Sequence, residues 1–303
     1  MPVRLQLERA VEEGVELVGR KLVAGEEVTR HPRIVVRAVS WNLFHGRDQP
    51  PDPALLTWRS RLLGVTERSA GHAQVNRPLV DEVAGLLAAL PWDVALLQEA
   101  PPHWLRPLAA AAGAGGASAL TSRNFPHVLR AALARANPDL IASNEGGSNQ
   151  LLWRPPWTAA EVERVTVARR PERRRMLLAR LREPGGRELA VANLHASTGD
   201  RAAEVLAAAE RAARFAAGAP LLFGGDLNLR PARAPEAFAA LAERHGLAAP
   251  TATGAIDHLL VRGLRATEAP HALPPERREV RDRDGLAIRL SDHAPVVAAF
   301  EVE

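Results

Sequence analysis

The chain contains no cysteine and no tyrosine, and of its 39 basic residues only Lys21 is a lysine, so the other 38 are arginines. The lack of cysteine excludes disulfide bonds, thiol catalysis and cysteine-ligated zinc. Almost no group titrates between neutral pH and the very high pKa of arginine. The sequence pI of about 10.8 therefore overstates the basicity of a chain whose formal net charge is only +4. This charge indicates a mild preference for anionic partners.

Long apolar runs are also lacking. No secretory hydrophobic segment follows Met1, and no run elsewhere in the 303 residues is long enough to span a bilayer. We therefore expect a cytoplasmic location. The length is ample for a buried core and fits one large domain or two ordinary ones.

Residues 1–30 show a regular helical pattern of apolar positions, formed by Leu7, Val11, Val15, Val18 and Leu22. The pattern predicts an amphipathic helical extension that docks on the rest of the protein. A helix on a membrane surface is the alternative, but Glu12, Glu13 and Glu16 would repel anionic lipid. Residues 31–303 interleave strands and helices without a repeat or an obvious linker, which predicts a single α/β domain.

Polar side chains stand where the predicted strands begin or end. Apolar and β-branched runs bounded by turn residues predict strands at 34–41, 93–97, 151–154, 188–194, 221–223, 259–262 and 296–300. The polar residues beside these strands include Asn42, Glu99, His195, Asp226, Asn228, Asp257, Asp292 and His293. Because α/β proteins place their sites where strand ends meet at one rim, we expect these side chains to converge.

The stretch 221–231, LLFGGDLNLRP, carries the clearest local signal. Its apolar start predicts a short buried strand, and its two glycines are expected to let the backbone turn tightly at the strand end. Asp226 and Asn228 would then project onto the same side. Asp226 could orient a water while Asn228 donates an N–H to a charged oxygen. The alternative interpretation is a strand end with an Asx turn.

Other segments carry weaker signals. The Gly- and Ala-rich residues 109–123 predict a mobile loop and the place where substrate specificity is decided. The arginine run 169–175 is expected to be a solvated cluster at a strand edge, in preference to a phosphate contact. The strand 296–300 is expected to complete a sheet edge. His45 and Arg47 either touch a substrate or shape the turn that contains them.

The residue types at the strand ends point to one chemistry. A carboxylate at the mouth of a buried strand, such as Glu99, is costly unless a positive charge lies opposite it, and a divalent cation is the simplest candidate. Carboxylate and amide oxygens are hard ligands suited to Mg²⁺ or Mn²⁺. Two histidines could transfer protons and stabilise charge. The set therefore predicts metal-assisted cleavage of a phosphodiester or phosphomonoester.

Six motifs in order, WNLFHGR, LLQE, NLH, GGDLN, IDH and SDHAPV, run from about Val35 to Phe300. Together they resemble the deoxyribonuclease I-like endonuclease/exonuclease/phosphatase superfamily. The resemblance implies a four-layered α/β sandwich, in which two mixed β-sheets pack face to face and helices flank them. It also implies that the protein is a hydrolase acting on phosphoester bonds.

The resemblance further implies a role for each matching residue. Glu99 would be the principal metal ligand, with Asn42 and Asp292 nearby. Asp257 would orient the imidazole of His293. The full set implied for catalysis is His195, Asp226, Asn228, Asp257 and His293. Asn149 matches the family asparagine that precedes a strand. We assign Asn149 to substrate binding, together with His45 and Arg47.

Two departures from the family pattern bear on function. Members that act at abasic sites use a tyrosine, which this chain lacks, so that subfamily is disfavoured. Deoxyribonuclease I pairs its histidine with a glutamate, whereas the only candidate near Asn149 is Glu145, which is out of register. The partner of His195 therefore stays open.

Our first hypothesis is a divalent-metal-dependent phosphodiesterase of the nuclease type that uses Mg²⁺ or Mn²⁺. The alternatives are an inositol-phosphate or lipid phosphatase or phosphodiesterase, similar to sphingomyelinases, and a catalytically silent binding protein on the same fold. The expected partner is a phosphoester substrate, with nucleic acid as one candidate. No obligate protein partner is evident from the sequence.

Overall fold

The computed structural model describes residues 35–121, 147–170, 172–199, 201–248 and 251–302, together with Leu129, Ala132 and Leu133. The predicted helical extension over residues 1–30 lies outside these ranges. The division of the chain into an extension and one domain therefore stays a prediction.

Two large β-sheets form the centre of the structure. The first has the strand order β12 (Leu264–Ala272), β15 (Val296–Val302), β1 (Val35–Asn42), β4 (Val94–Ala100), β6 (Ser148–Trp153) and β5 (Gly115–Leu120). The second has the order β11 (Asp257–Arg262), β10 (Leu221–Asp226), β9 (Glu188–His195), β8 (Arg174–Arg182) and β7 (Thr158–Ala168). Strands β1 and β4 are parallel, as are β9 and β10, and the other neighbours are antiparallel, so both sheets are mixed.

The remaining elements are short strand pairs and helices. The strand pairs are β2 (Glu67–Arg68) with β3 (Ala73–Gln74), and β13 (Glu279–Arg281) with β14 (Ala287–Arg289). The helices are α1 (Trp58–Leu63), α2 (Val80–Ala89), α3 (Leu105–Ala112), α4 (Ala202–Ala216) and α5 (Pro235–His245). Among the residues that the structure describes, none of the helices combines the length and the apolar character needed to cross a membrane.

Three apolar cores separate four layers. The central core joins the facing sheets, with Val36 and Leu96 from the first sheet and Leu177 and Leu222 from the second. A second core lies between the outer face of the second sheet and helices α4 and α5, and a third between the first sheet and helices α2 and α3. Both faces of the central strands are thus buried, which explains their continuous apolar sequences. The predicted four-layered sandwich is confirmed.

The parallel strand pairs bring polar residues to one end of the sandwich. Asn42 ends β1 beside Gln98 of β4, and His195 ends β9 beside Asp226 of β10. Strand β11 runs the other way and begins at Asp257, which is paired with Asp226. The chain directions therefore explain why residues far apart in sequence share one rim.

A buried polar bridge holds the two sheets together just behind this rim. The Gln98 side chain donates from Nε2 to Oδ1 of Asn193 at 2.8 Å. Asn193 in turn donates from Nδ2 to the carbonyl oxygens of Leu97 and Gln150 at 2.9 and 2.8 Å. Both side chains are fully buried. Because buried amides are costly without partners, this pairing fixes how the sheets sit against each other.

Two sequence predictions about ordered structure are wrong. Residues 109–123 are not a mobile loop where they are described, since they include the end of α3 and the edge strand β5. Their small side chains serve packing, because a Cβ on Gly115 would lie 2.4 Å from Nε1 of Trp153. Strand β15 does not complete an edge either. It lies between β12 and β1, so β12 is the edge strand here, and the sequence analysis did not predict β12.

The two glycines of the LLFGGD segment have a different purpose from the predicted turn. Gly224 and Gly225 continue strand β10 instead of ending it. A Cβ on Gly224 would lie 2.4 Å from the His258 carbonyl oxygen, and one on Gly225 would lie 2.0 Å from that of Leu194. Gly225 also has a φ of 125°, which residues with side chains rarely adopt. The glycines therefore allow neighbouring backbones to approach closely at the site.

This packing predicts that Gly225→Ala will be strongly destabilising. The added methyl group meets rigid backbone on a neighbouring strand and an unfavourable φ, so we expect the free energy of unfolding to fall by about 3 kcal/mol or more. Gly254→Ala is the matched control, because nothing lies within 4 Å of its Cβ position. Chemical denaturation measures both variants, and equal stabilities would contradict this account.

Candidate active site

Glu99 lies at the mouth of β4, surrounded by histidine and amide side chains. Its Oε2 is 3.2 Å from Nε2 of His45, and its Oε1 is 3.7 Å from Nε2 of His195. Burial raises the pKa of Glu99, but His45, His195 and a hydrogen bond from Asn42 outweigh this and lower the pKa overall. Glu99 is therefore a carboxylate at neutral pH, and its side chain is 22% exposed, which leaves it open to a ligand.

Asn42 connects the acidic groups of the two sheets. Its Nδ2 donates to Oδ2 of Asp226 at 3.0 Å, while its Oδ1 accepts from the backbone N–H of Phe44 at 3.0 Å. The amide thus presents N–H groups, and not its oxygen, to the carboxylates of Asp226 and Glu99. In this conformation Asn42 orients acidic residues and would have to rotate its amide to become a direct metal ligand.

Backbone strain concentrates at this rim. In the described part of the chain, six non-glycine residues have a positive φ, and one of them, Ala217, ends helix α4. The others all lie in the segments that form the rim: Phe44, His45, Glu99, Asn228 and Ser291. Such conformations cost on the order of 1–3 kcal/mol each, and they cluster where side chains must be aimed.

Asp226 and Asn228 form a tight turn at the end of β10. The backbone N–H of Asn228 donates to Oδ1 of Asp226 at 3.0 Å, and Nδ2 of Asn228 donates to the Ala196 carbonyl oxygen at 3.0 Å. The predicted Asx turn is therefore present, and the functional interpretation of the two residues stays a prediction. One N–H of the Asn228 amide remains for another acceptor. Burial, followed by the charge of Asp257, raises the pKa of Asp226 to about 7.

His293 and Asp257 are hydrogen-bonded although 36 residues separate them. Nδ1 of His293 donates to Oδ2 of Asp257 at 2.7 Å, and its Nε2 lies 4.0 Å from both Oδ2 of Asp226 and Oδ1 of Asp292. Burial lowers the pKa of His293, but its bond to Asp257 and the charges of Asp257, Asp226 and Asp292 raise it to about 9. The ring is therefore an imidazolium at neutral pH.

The loop that carries Asp292 and His293 is anchored to strand β1. Oγ of Ser291 donates to the Asn42 carbonyl oxygen at 2.6 Å, and Nε1 of Trp41 donates to the His293 carbonyl oxygen at 3.0 Å. Strand β1 and the loop that precedes β15 are thus joined at the rim. Burial, and the nearby charge of Glu99, raise the pKa of Asp292, although His293 opposes this.

The partner of His195 is an arginine that the sequence analysis did not single out. Nη1 of Arg174 lies 3.1 Å from Nδ1 and 3.4 Å from Nε2 of His195. Nη1 is thus nearly equidistant from the two ring nitrogens. An atom at these distances in the plane of the ring would collide with Cε1, which lies between the nitrogens, so Nη1 lies over the face of the ring. Burial and the charge of Arg174 lower the pKa of His195 to about 3, so the ring is neutral.

The arginine run 169–175 is therefore only partly the solvated cluster that we predicted. Arg169 and Arg170 are exposed, whereas Arg174 begins strand β8 and is buried. The run itself was the available signal. Nothing in the spacing of so many arginines distinguishes the one that turns inward.

The remaining predicted residues lie at different distances from the cluster. His45 reaches Glu99, as described above. Arg47 instead stacks on the ring of Phe44, with its guanidinium carbon 3.8 Å from the ring centre. Asn149 is fully buried and donates from Nδ2 to the Arg175 carbonyl oxygen at 2.8 Å, so it ties β6 to the start of β8.

The chemistry of this rim fits a divalent cation. Histidine nitrogens form ion pairs with its four carboxylates, which are Glu99, Asp226, Asp257 and Asp292. Asp292 also interacts electrostatically with Arg278. Four carboxylates close together offer the hard oxygen donors that suit Mg²⁺ or Mn²⁺.

Two parts of the rim could hold such an ion. Ligand atoms of Asp226, Asp257 and His293 lie within 4.8 Å of one another, and Asp257 and His293 are also hydrogen-bonded to each other through Oδ2 and Nδ1. Glu99 and Asp292 interact electrostatically, and both are partly exposed. They are the better pair to hold a metal with open coordination positions.

The His293 and Asp257 pair predicts a loss of stability at alkaline pH. Because the pKa of His293 is about 9 in the folded protein and about 6.5 in an unfolded chain, folding binds this proton more tightly. The stabilisation is fully present below about pH 6.5 and is lost as pH rises through about 9, at most about 3 kcal/mol. In EDTA, we expect the stability difference between the protein and His293→Gln to shrink accordingly. A difference independent of pH would contradict this.

Facing sheets with a carboxylate and histidine cluster at one end define a phosphoesterase of the α/β-sandwich class. The chain belongs to the Endonuclease/Exonuclease/phosphatase family, whose model matches residues 39–293. This match confirms the resemblance. No curated protein is similar enough to the chain to count as a match.

Solved structures with this fold resemble the chain at low identity. An endonuclease/exonuclease/phosphatase family protein from Bacteroides thetaiotaomicron has a TM-score of 0.60 and 14% identity, covering 90% of this chain and 100% of that one. The mannosyl-6-phosphatase Bt3783 from Bacteroides thetaiotaomicron gives 0.56 and 15%, covering 88% and 99%. The human Nocturnin catalytic domain with bound sulfate gives 0.54 and 14%, covering 88% and 97%. At these identities the likeness shows the fold alone.

Proposed function

We propose that the protein is a phosphodiesterase that requires Mg²⁺ or Mn²⁺ and acts as a nuclease. The observation that carries this proposal is the pairing of a charged imidazole, His293, with Asp257 beside the buried carboxylate of Asp226. A proton acceptor and an anion-stabilising cation then face the same space, as hydrolysis of a phosphoester requires.

The residues of the site divide the work by their charge. Asp226, whose pKa is raised to about 7 by burial and by Asp257, can accept a proton from a water near neutral pH. Asn42 and the Asn228 backbone hold its two oxygens, so the carboxylate has a fixed direction. The free N–H of the Asn228 amide can bind a phosphate oxygen. His293 can stabilise the charge that develops on the phosphoryl group or its leaving oxygen.

A metal would be held by Glu99 and Asp292, with the Asn42 amide beside them. When bound, it would neutralise phosphate charge and polarise the phosphoester. His45 fixes the Glu99 carboxylate from one side and thereby takes a positioning role. Arg47, whose guanidinium lies over the Phe44 ring, is assigned to a substrate groove, and Asn149 to support of strand β8.

The nuclease assignment rests on the mild positive charge and the arginine-rich surface, which suit a polyanionic substrate. An inositol-phosphate or lipid phosphoesterase is the second candidate. The likeness to a mannosyl-6-phosphatase supports this second candidate, because one fold serves many substrates.

An activity screen distinguishes these candidates. The protein is supplied with Mg²⁺ or Mn²⁺ and tested on plasmid DNA, single-stranded DNA, RNA, sphingomyelin and inositol phosphates, with Glu99→Gln as the blank. We expect cleavage of a nucleic acid that weakens as salt is raised. Turnover of an inositol phosphate or of sphingomyelin alone would favour the second candidate. Inactivity on every phosphoester would favour the silent binding protein.

A further inference from the structure

Arg174 is a buried cation whose own contacts do not account for its burial. The residue is 8% exposed, and its Nε–H is buried without a hydrogen-bond partner. A guanidinium usually directs its N–H groups to acceptors, and a buried unpaired donor costs on the order of 1–3 kcal/mol. Buried charges of this kind persist mainly where function requires them.

The ion pair of Arg174 is too weak to be the reason for its position. Its carboxylate partner, Glu172, approaches Nη2 at 3.3 Å, but the Glu172 side chain is 49% exposed. Exposed pairs contribute about 0–1 kcal/mol, which does not offset the burial of a guanidinium. A purely structural role as a salt bridge is therefore disfavoured.

The other neighbour of Arg174, His195, connects it to the catalytic rim. Its Nη1 lies over the ring of His195, whose Nε2 is 3.7 Å from Glu99 and 3.6 Å from Asp226. The contact from Nη1 to both ring nitrogens restricts the tilt and the rotation of the imidazole. Through the same contact, the imidazole of His195 separates the positive charge of Arg174 from the carboxylates and from the space where a phosphate would bind.

We propose that Arg174 is a positioning residue of the hydrolytic site, which holds the His195 ring against the phosphoester and supplies positive charge behind it. This inference rests on the proposed function. His195 here is set by a cation over its face, and not by a carboxylate bonded to its edge. The positive charge of Arg174 favours anionic substrates. We therefore expect the phosphoryl group bound at His195 to be anionic in every substrate of the site.

The experiment compares variants of Arg174 on bis(4-nitrophenyl) phosphate with Mg²⁺ or Mn²⁺. Arg174→Met keeps the length of the side chain and removes its charge and its planar group. We expect kcat to fall on the order of a hundredfold, with a smaller change in KM, because the ring loses its orientation. Arg174→Lys keeps the charge but lacks the planar fork of N–H donors, so we expect it to recover only part of kcat.

Chemical rescue separates positioning from packing. Guanidinium ion added at millimolar concentration is expected to restore activity to Arg174→Ala, whereas the same concentration of sodium chloride is not. Arg170→Gln is the matched control, since this exposed arginine lies in the same connection between β7 and β8. It should retain the parent's kcat within about twofold. Thermal unfolding of each variant identifies any that fail to fold, and Arg174→Lys then carries the comparison.

Each outcome bears on one of the two claims. If the parent shows no metal-stimulated hydrolysis, or if Glu99→Gln retains that hydrolysis, the proposed function is wrong and the inference that rests on it is wrong too. If the parent is active and folded Arg174→Met retains its kcat, the inference alone is overturned. Absence of rescue in a folded Arg174→Ala would likewise overturn it, because the guanidinium would then act only through packing.

Discussion

Glu99→Gln is expected to lower metal-stimulated hydrolysis on the order of a thousandfold while leaving the fold intact. Glutamine keeps the size of the side chain but removes the charge that a divalent cation needs. Glu99 contributes its carboxylate from a strained position, with a φ of 48°, and its contacts are with His45, His195 and Asn42. No apolar packing is lost, so the free energy of unfolding should change little.

The measurement for Glu99→Gln combines kinetics with metal binding. kcat/KM is determined at saturating metal, and Mn²⁺ affinity is determined separately by calorimetry. Glu210→Gln is the control, because Glu210 is an exposed acid on α4, paired with Arg214. We expect the control to match the parent in both measurements. A folded Glu99→Gln protein with the parent's kcat/KM would contradict the assignment of Glu99 as a metal ligand.

Asp257→Asn is expected to cost nearly as much turnover as His293→Ala. The 2.7 Å bond to Asp257 sustains the positive charge of His293 and aims its Nε2 at the space beside Asp226. Asparagine keeps the shape of the side chain but removes the negative charge, so the imidazole loses both proton and orientation. Each variant should lower kcat on the order of a thousandfold.

The double variant tests whether the pair acts as a unit. Residues that work as one unit are strongly non-additive, so the double variant should be little worse than either single variant. Kinetic constants of all four proteins at one pH complete the cycle. Losses that simply multiply would show that Asp257 and His293 contribute independently.

The clustering of the strand-end residues could be predicted because the sequence shows which end of each apolar run carries the polar residue. Apolar runs that end in Asn42, Glu99, His195 and Asp226 are the parallel strands of the two sheets, and parallel strands deliver their last residues to the same edge. The same reasoning places Asp257 at the start of an antiparallel neighbour. The link between Asp257 and His293 was implied by the family resemblance, and the hydrogen bond between them agrees with it.

Other features depend on tertiary contacts that no local pattern reveals. Gly115 has the sequence context of a loop residue, but the indole of Trp153 occupies the space beside it. Gly225 has the sequence context of a turn residue, but the Leu194 carbonyl occupies the space beside it. Arg174 is one member of an arginine-rich run, and only the approach of strand β9 selects it. Asn42 was predicted to lie near the metal, and the sequence does not reveal that its amide oxygen accepts from the N–H of Phe44.

The metal dependence of the parent protein tests the central claim most directly. The protein is stripped with EDTA, assayed on the nucleic acid or phosphodiester that the screen identifies, and assayed again after Mg²⁺ or Mn²⁺ is restored. The account predicts no turnover in EDTA and full recovery with either metal, in the parent and not in Glu99→Gln. Undiminished turnover in EDTA would contradict it.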